Sequence, residues 1–336
     1  QPMDPVDILV PPATVGDRVV LRTLLPDGSA TDVIGWVAAV DSEQVTLEGL
    51  QATSTVHRSR VVAARRLPAA LGGPGPQRTS PEELEQISLP GWVAHSEPLG
   101  EWTLRYGGGF TGRANSCLAV GHPGMDVAEA AARIVAFAAR HQTQPWAQVV
   151  AGGDVEHRLR GLGWTEAYVR TDVLAVRLNE LLGAERPDPR VRVLTSLGPG
   201  WQDAYQISRP NSAEAAVLHS ILDGRPPRAF AQVEADGDVI AIGRAHVNQS
   251  WMGLASLWTV PAHRRRGWAT KIMTALGHWA ARQGARNVYL QVATENSAAH
   301  RAYQRAGFAV HHSYLYLAPP ATGQCGRDTP PDAGRS

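Results

Sequence analysis

Three consecutive arginines, Arg264, Arg265 and Arg266, stand directly before Gly267, Trp268, Ala269 and Thr270. Upstream, "SWMGLASLWTV" is β-branched and aromatic enough for a strand, and Pro261 ends its hydrogen-bond ladder. Downstream, "WATKIMTALGHWAARQGA" places Ile272, Leu276 and Ala280 on one helical face, with Gly284 as a stop. Residues 264–269 are therefore a strand-to-helix turn. A helix N-terminus presents unpartnered N–H groups and the positive end of the helix dipole. Gly267 lets an anion approach the backbone, and Ala269 keeps the next turn thin. The arginines add attraction and contacts to peripheral phosphates. The chemistry implied is the binding of a phosphate-bearing ligand.

A second group follows one helix later: "VYLQV", then Asn296, Ala299, Tyr303 and "GF" at 307–308. Arg264-x-x-Gly267-x-Ala269 fits the Arg/Gln-x-x-Gly-x-Gly/Ala pattern of the GCN5-related N-acetyltransferases. The second group resembles that family's fifth strand and following helix. The resemblance covers roughly 190–318. It implies an α/β (α+β) fold, a mixed central sheet with flanking helices, and acetyl-CoA as co-substrate. It implies further that Trp258, Thr259 and Val260 pair with the pantetheine arm through their backbones, and that 264–270 hold the pyrophosphate. Asn296 would contact CoA or the splayed strand, although as a plain helix N-cap it needs no ligand. Tyr303 would protonate the departing thiolate, uphill by about 2 kcal/mol at most for a free phenol and a free thiol.

The general base is where the chain departs from relatives that act on lysine, which often carry a glutamate on the fourth strand. "SWMGLASLWTV" has neither carboxylate nor histidine. His246 and Glu295 are the nearest ionisable candidates, each expected at the surface, and a water relay is the third route. Deprotonating a lysine amine at pH 7 costs about 4.6 kcal/mol, against about 1.4 for an α-amine. That difference favours a small-molecule amine over a protein lysine.

These elements need a scaffold. Residues 12–68 read as five short strands with a "PDGS" turn, fitting a small SH3-like barrel. Six acids balance six arginines there, which favours a docking module over a nucleic-acid binder. Residues 69–90 are Pro/Gly-rich and read as a linker. A first αβ region spans 91–185 and a second 190–318, and 319–336 read as a disordered tail. "QVVAGGDVEHRLRGLGW" (148–164) and "QVATENSAAHRAYQRAGF" (291–308) form a weak repeat, each a strand, a turn, a helix and a Gly-aromatic cap. The first copy lacks the glycine turn, the Asn and the Tyr, so it is expected to be non-catalytic. Barrel, degenerate half and complete half together resemble an actinobacterial tandem group described as histone-acetyltransferase-like. The role of "FTGRANS", Phe110–Ser116, stays open.

The formal charge of +1 gives no global attraction to nucleic acid or anionic lipid, and no run approaches a membrane span. Two cysteines, Cys117 and Cys325, exclude a thiol metal site, and no metal is expected. They and the lack of a leader pattern suggest the cytoplasm. Lys271 is the sole lysine among 32 basic residues. The expected activity is acetyl transfer from acetyl-CoA to a primary amine by direct attack. The alternatives are a histone-like lysine acetyltransferase, a non-catalytic acyl-CoA-binding protein and a chromatin adaptor.

Overall fold

Alternating buried and exposed side chains make a two-faced sheet of β1 (Arg18–Leu24), β2 (Ala30–Val40), β3 (Gln44–Glu48), β4 (Thr53–His57) and β5 (Val61–Leu67). Its order is β4-β3-β2-β1-β5, antiparallel throughout, around Val19, Leu21, Val37, Val45, Leu47 and Val56. This small separate sheet fits the expected SH3-like barrel. The structure, a computed structural model, describes residues 6, 12–92, 94–210, 215–225 and 227–320. Nearly all of the tail expected to be disordered, with Cys325, lies outside them.

α1 (Pro81–Ser88) precedes the first αβ region, which holds β6 (His95–Leu99), β7 (Trp102–Tyr106), β8 (Cys117–Leu118), α2 (Val127–Arg140), β9 (Ala147–Val150), α3 (Asp154–Gly161), β10 (Thr165–Glu166) and β11 (Thr171–Arg177). After α4 (Leu178–Leu182) come β12 (Val191–Leu194), α5 (Pro199–Ser208), α6 (Ala215–Leu222), β13 (Arg228–Ala235), β14 (Asp238–Asn248) and β15 (Trp251–Thr259). The chain continues with α7 (Trp268–Arg282), β16 (Asn287–Ala293), α8 (Ser297–Arg305) and β17 (Ala309–Ala318).

Both regions contribute to one mixed sheet, ordered β12-β13-β14-β15-β16-β11-β17-β9-β8-β7-β6, with β10 beside β17. The order shows an exchange. β11, from the first region, lies between β16 and β17, and β17 in turn pairs with β9. A cut between residues 185 and 190 would therefore separate strands from their hydrogen-bond partners. On one face Ile272, Leu276 and Ala280 of α7 pack with Ala231, Ala245 and Val288. On the other region's core, Ala130, Ile134 and Phe137 of α2 pack with Trp102, Val149 and Leu159.

Residues 69–90 are not a free linker. Ala70 N–H donates to Asn179 at 2.9 Å, Arg177 donates to Gly73 O at 2.7 Å, and Asn287 donates to Pro74 O at 3.2 Å. Ser80 and Glu83 form a capping box that starts α1, whose Leu84 and Ile87 are buried with Trp251 and Tyr314. The buried Glu85 accepts from Gln148 at 2.6 Å and sits 2.9 Å from His312 Nε2. Proline and glycine announced the lack of regular structure, which is separate from a lack of contacts. Trp36 of the barrel also donates to Ala69 O and joins the main core.

Candidate active site

β15 and β16 run parallel and pair only from Trp251↔Asn287 to Leu254↔Leu290. Beyond that they part, β15 staying with β14 and β16 with β11. The parting coincides with a bulge. Ile242 faces Trp258 but Arg244 faces Ala255, so Gly243 opposes both Ser256 and Leu257. Ser256 has φ +57°, a left-handed conformation that a non-glycine residue holds only where its surroundings impose it. Trp201 of α5 donates to Gly243 O at 3.1 Å, and a Cβ on Gly243 would meet Ile272 at 2.5 Å. Two polar edges thus open into a wedge within a buried sheet.

β15 leads from the wedge into the arginine turn. Trp258 and Thr259 remain paired with Ile242 and Ala241, and Val260 N–H donates to Ile240 O at 2.8 Å. Thr259 O already accepts from Arg264 Nε at 3.1 Å, so Arg264 clasps the strand it follows. Arg265 (φ +61°) and Gly267 (φ +77°) are both left-handed. Gly267 caps α7 without a side-chain acceptor, no acid lies in the first turn, and nothing stands within 4 Å of a Cβ placed on it. Arg264, Arg265, Arg266, Gly267, Ala269 and Thr270 are exposed. Here an uncapped helix N-terminus faces solvent among arginines, the arrangement that binds phosphate. Trp268 is engaged from inside: Arg190 and Lys271 sit 4.9 and 4.8 Å from its ring centroid. Arg190, then Lys271, hold the carboxyl of Asp188 well below the usual range. The chain's sole lysine is thereby a structural one.

Asn296 caps α8, its Oδ1 accepting from Ala299 N–H at 3.1 Å. Tyr303 packs edge-on against Phe308 and faces the wedge with Leu290 and Gln291. Burial pushes its phenol up to about 12, against the opposing effect of Arg209. Complete proton transfer to a free thiolate would then cost about 5 kcal/mol rather than about 2. A hydrogen bond that strengthens as charge develops on sulfur is the cheaper role.

The wedge opens into a cleft whose far walls come from elsewhere. Thr111 and Arg113 belong to the "FTGRANS" loop, Trp92 follows α1, and Tyr205 and Arg209 lie on and just after α5. Asn115 holds that loop, accepting from Gly107 and Gly109 N–H (both 2.9 Å) and donating to Thr111 O at 2.8 Å. Arg113 Nε donates to Tyr314 Oη at 3.0 Å. The sequence showed no periodicity there. The one visible signal was the polar heptapeptide itself, between glycines and a buried strand.

A family model described as probable histone acetyltransferase Rv0428c C-terminal matches residues 82–317. The chain belongs to that family. The barrel lies outside the match. A 97-residue stretch is 31% identical to an uncharacterized N-acetyltransferase, YobR, of Bacillus subtilis, covering 29% of this chain and 39% of YobR. The chain thus spans about two-fifths of that curated relative. A GCN5-related N-acetyltransferase from Kribbella flavida superposes with a TM-score of 0.53 at 19% identity, over 71% of this chain and 95% of that one. A tandem GNAT protein from the clavulanic acid biosynthesis pathway gives 0.45 at 14% identity, over 60% and 74%. The fold is the GCN5-related N-acetyltransferase fold.

Within this family member, one of the two base candidates departs from expectation. His246 is buried, not at the surface. Its Nε2 lies 2.9 Å from Tyr289 Oη, and Gly91 and Gly253 pack on the ring. Burial, reinforced by Arg244, pushes its pKa down to about 3. A base that weak takes no proton from an ammonium at pH 7, and it does not line the cleft. A polar residue on an otherwise apolar strand reads as a surface position, but β14 is covered on both faces. Glu295 is exposed as expected and also stands outside the cleft. Among the described residues, His95, Glu97 and His141 bring metal-ligand types together, but Arg140 takes both Glu97 oxygens at 3.0 and 2.8 Å. No helix among them is long and apolar enough to cross a membrane.

Proposed function

We propose that the protein is an N-acetyltransferase that moves acetyl from acetyl-CoA to a primary amine by direct attack in a ternary complex. The observation that carries this reading is the parting of β15 and β16 beside Tyr303, with an open, uncapped Gly267 turn at the end of the same strand. On this reading the N–H groups of 267–270, helped by Arg264, Arg265 and Arg266, hold the pyrophosphate. The backbone groups of Trp258, Thr259 and Val260 that β14 and Arg264 leave unpaired guide the pantetheine arm, and Asn296 fixes the start of α8 beside it.

The neutral amine attacks the thioester carbonyl carbon. The N–C bond forms, the C–S bond breaks, and the Tyr303 hydroxyl donates to the departing sulfur. The proton lost by nitrogen returns through water, so the products are the amide and free CoA. An acyl-enzyme route through Cys117 has no support, because burial pushes that thiol up to about 12.

A small-molecule amine suits the site better than a histone lysine, whatever the family's description. Among the described residues, no carboxylate lines the cleft to accept a lysine's proton or to pair with a cationic peptide. Calorimetric titration with CoA, followed by thiol release from acetyl-CoA across an amine panel, tests the proposal. Tight binding with turnover on some amine is expected. Binding without turnover on any amine points instead to an acyl-CoA-binding protein.

A further inference from the structure

Two arginines stand in the cleft, and among the described residues no acid lines it beside them. Arg113 has its Nε on Tyr314 Oη at 3.0 Å and its guanidinium 4.6 Å from the Trp92 centroid. Arg209 lies 5.6 Å from the Tyr205 centroid. Both are half-buried, and neither meets a carboxylate among the described residues. A third cation reinforces them. Arg244, 1% exposed, lies 5.6 Å from the same Trp92 ring and keeps Nη1 unpartnered. The nearby acid Asp223 is already taken by Arg228 at 2.6 Å.

Aromatic faces hold these guanidinium planes without neutralising them. Positive charges withdrawn from water and left without counterions are costly, and the cost is relieved when an anion arrives. The anion is not the CoA pyrophosphate. On the reading above that group sits at Gly267, past the end of β15, whereas the arginines flank Leu254–Leu257 and Tyr303, beside the reacting end. We propose that the acceptor amine carries a carboxylate or phosphate group, bound by Arg113 and Arg209. A guanidinium offers two parallel N–H donors that match either group. The same charges disfavour an ammonium ion nearby, so the acceptor amine binds in its neutral, nucleophilic form. That supplies what the missing general base would have done. Acceptors with several positive charges, such as polyamines or lysine-rich peptides, are repelled.

This inference rests on the acetyltransferase reading, and the test separates the two. The full chain is saturated with acetyl-CoA and given matched pairs. One arm sets α-amino acids against the amines left by removing their carboxylate. The other sets amino-sugar phosphates against the parent amino sugars. A polyamine and a lysine-rich peptide complete the panel. In at least one arm the anionic member is expected to have a kcat/KM about 10- to 100-fold above its partner. Arg209→Gln should erase most of that preference while acetyl-CoA affinity stays unchanged. Arg113→Lys keeps the charge but loses the fork, and should erase part of it in a protein that melts like the parent. The arm that responds distinguishes carboxylate from phosphate. Equal or better use of the uncharged or cationic amines overturns the proposal. So does a preference that survives both variants, or acceptance of no anionic amine by a protein that binds acetyl-CoA. Failure to bind acetyl-CoA at all overturns the acetyltransferase reading instead.

Discussion

The two αβ regions place the same parts in the same order but cap their helices oppositely. In the first, α2 begins at Asp126, whose carboxylate accepts from Ala128 N–H at 2.8 Å, with Glu129 in the first turn. In the second, α7 begins at Gly267 with no cap and no acid. Further along, α3 and α8 both end in a left-handed glycine, Gly163 (φ +85°) and Gly307 (φ +90°), followed by Trp164 and Phe308. The fourth residue before each glycine is Leu159 in one and Tyr303 in the other. Leu159 is fully buried, whereas Tyr303 reaches the cleft. Where β15 and β16 part around a cleft, Leu118, Val120 and Val150 pack into a buried apolar cluster beside β8 and β9. On the function proposed above, the helix end that satisfies itself is scaffold, and the one left unsatisfied is the site.

The hardest blow to this contrast is to give the second region the first region's charge. Gly267→Glu should weaken CoA binding by more than about 100-fold, because a carboxylate both fills the cradle and repels phosphate. The position is left-handed, so any side chain adds backbone strain. Gly267→Asn separates the effects, since Asn tolerates that conformation and carries no charge. Its loss should be no more than about tenfold. Calorimetric titration reads both, and Glu binding within twofold of the parent would remove the phosphate site from 264–270.

Next in size is the tyrosine. Tyr303→Phe should lower kcat by about 10²-fold with little change in acetyl-CoA affinity, since the hydroxyl matters as charge develops on sulfur. Tyr303→Leu, which copies the first region, should do no worse than Phe if only the hydroxyl counts. The pH profile sharpens this. With the phenol pushed up to about 12, the acid form persists across the working range, so no alkaline fall below about pH 10 belongs to Tyr303. His246, at about 3, is neutral throughout. The rate should therefore rise with pH as the acceptor amine deprotonates, then level. A fall centred between pH 7 and 9 would reveal an acid other than Tyr303.

Much of this was legible in the chain. Arg264-x-x-Gly267-x-Ala269 and Asn296 to Phe308 are local patterns, and local patterns fix a turn, a cap and a helix face. The strands of the barrel alternated plainly enough to be read. What stayed hidden depends on distant pairing. The exchange of β11 and β17 leaves no mark on either strand's composition, because a buried strand reads alike beside any neighbour. Arg113 and Arg209 are about a hundred residues apart and lie on irregular or short elements, so nothing local announced their meeting at the cleft. His246 looked like a surface residue because an isolated polar type usually is, and only tertiary contacts bury it.

The smallest effect comes from the converse change, opening the first region's helix. Asp126→Ala removes a side-chain cap from α2, a loss worth about 1 kcal/mol. For a chain this long the melting temperature should fall by roughly 1–3 °C. No second CoA site should appear. The turn before α2 is held by a second carboxylate, since Glu101 accepts from His122 N–H and its side chain lies where a Cβ on Gly121 would go. Glu129 remains in the first turn. Two negative charges therefore stay where a pyrophosphate would have to sit, and no arginine triplet precedes the helix to offset them. Titration of Asp126→Ala with CoA should still give one site per chain at the parent's affinity. A stoichiometry of two would mean that the first region was built to bind and merely capped, and the division between scaffold and site would have to be redrawn.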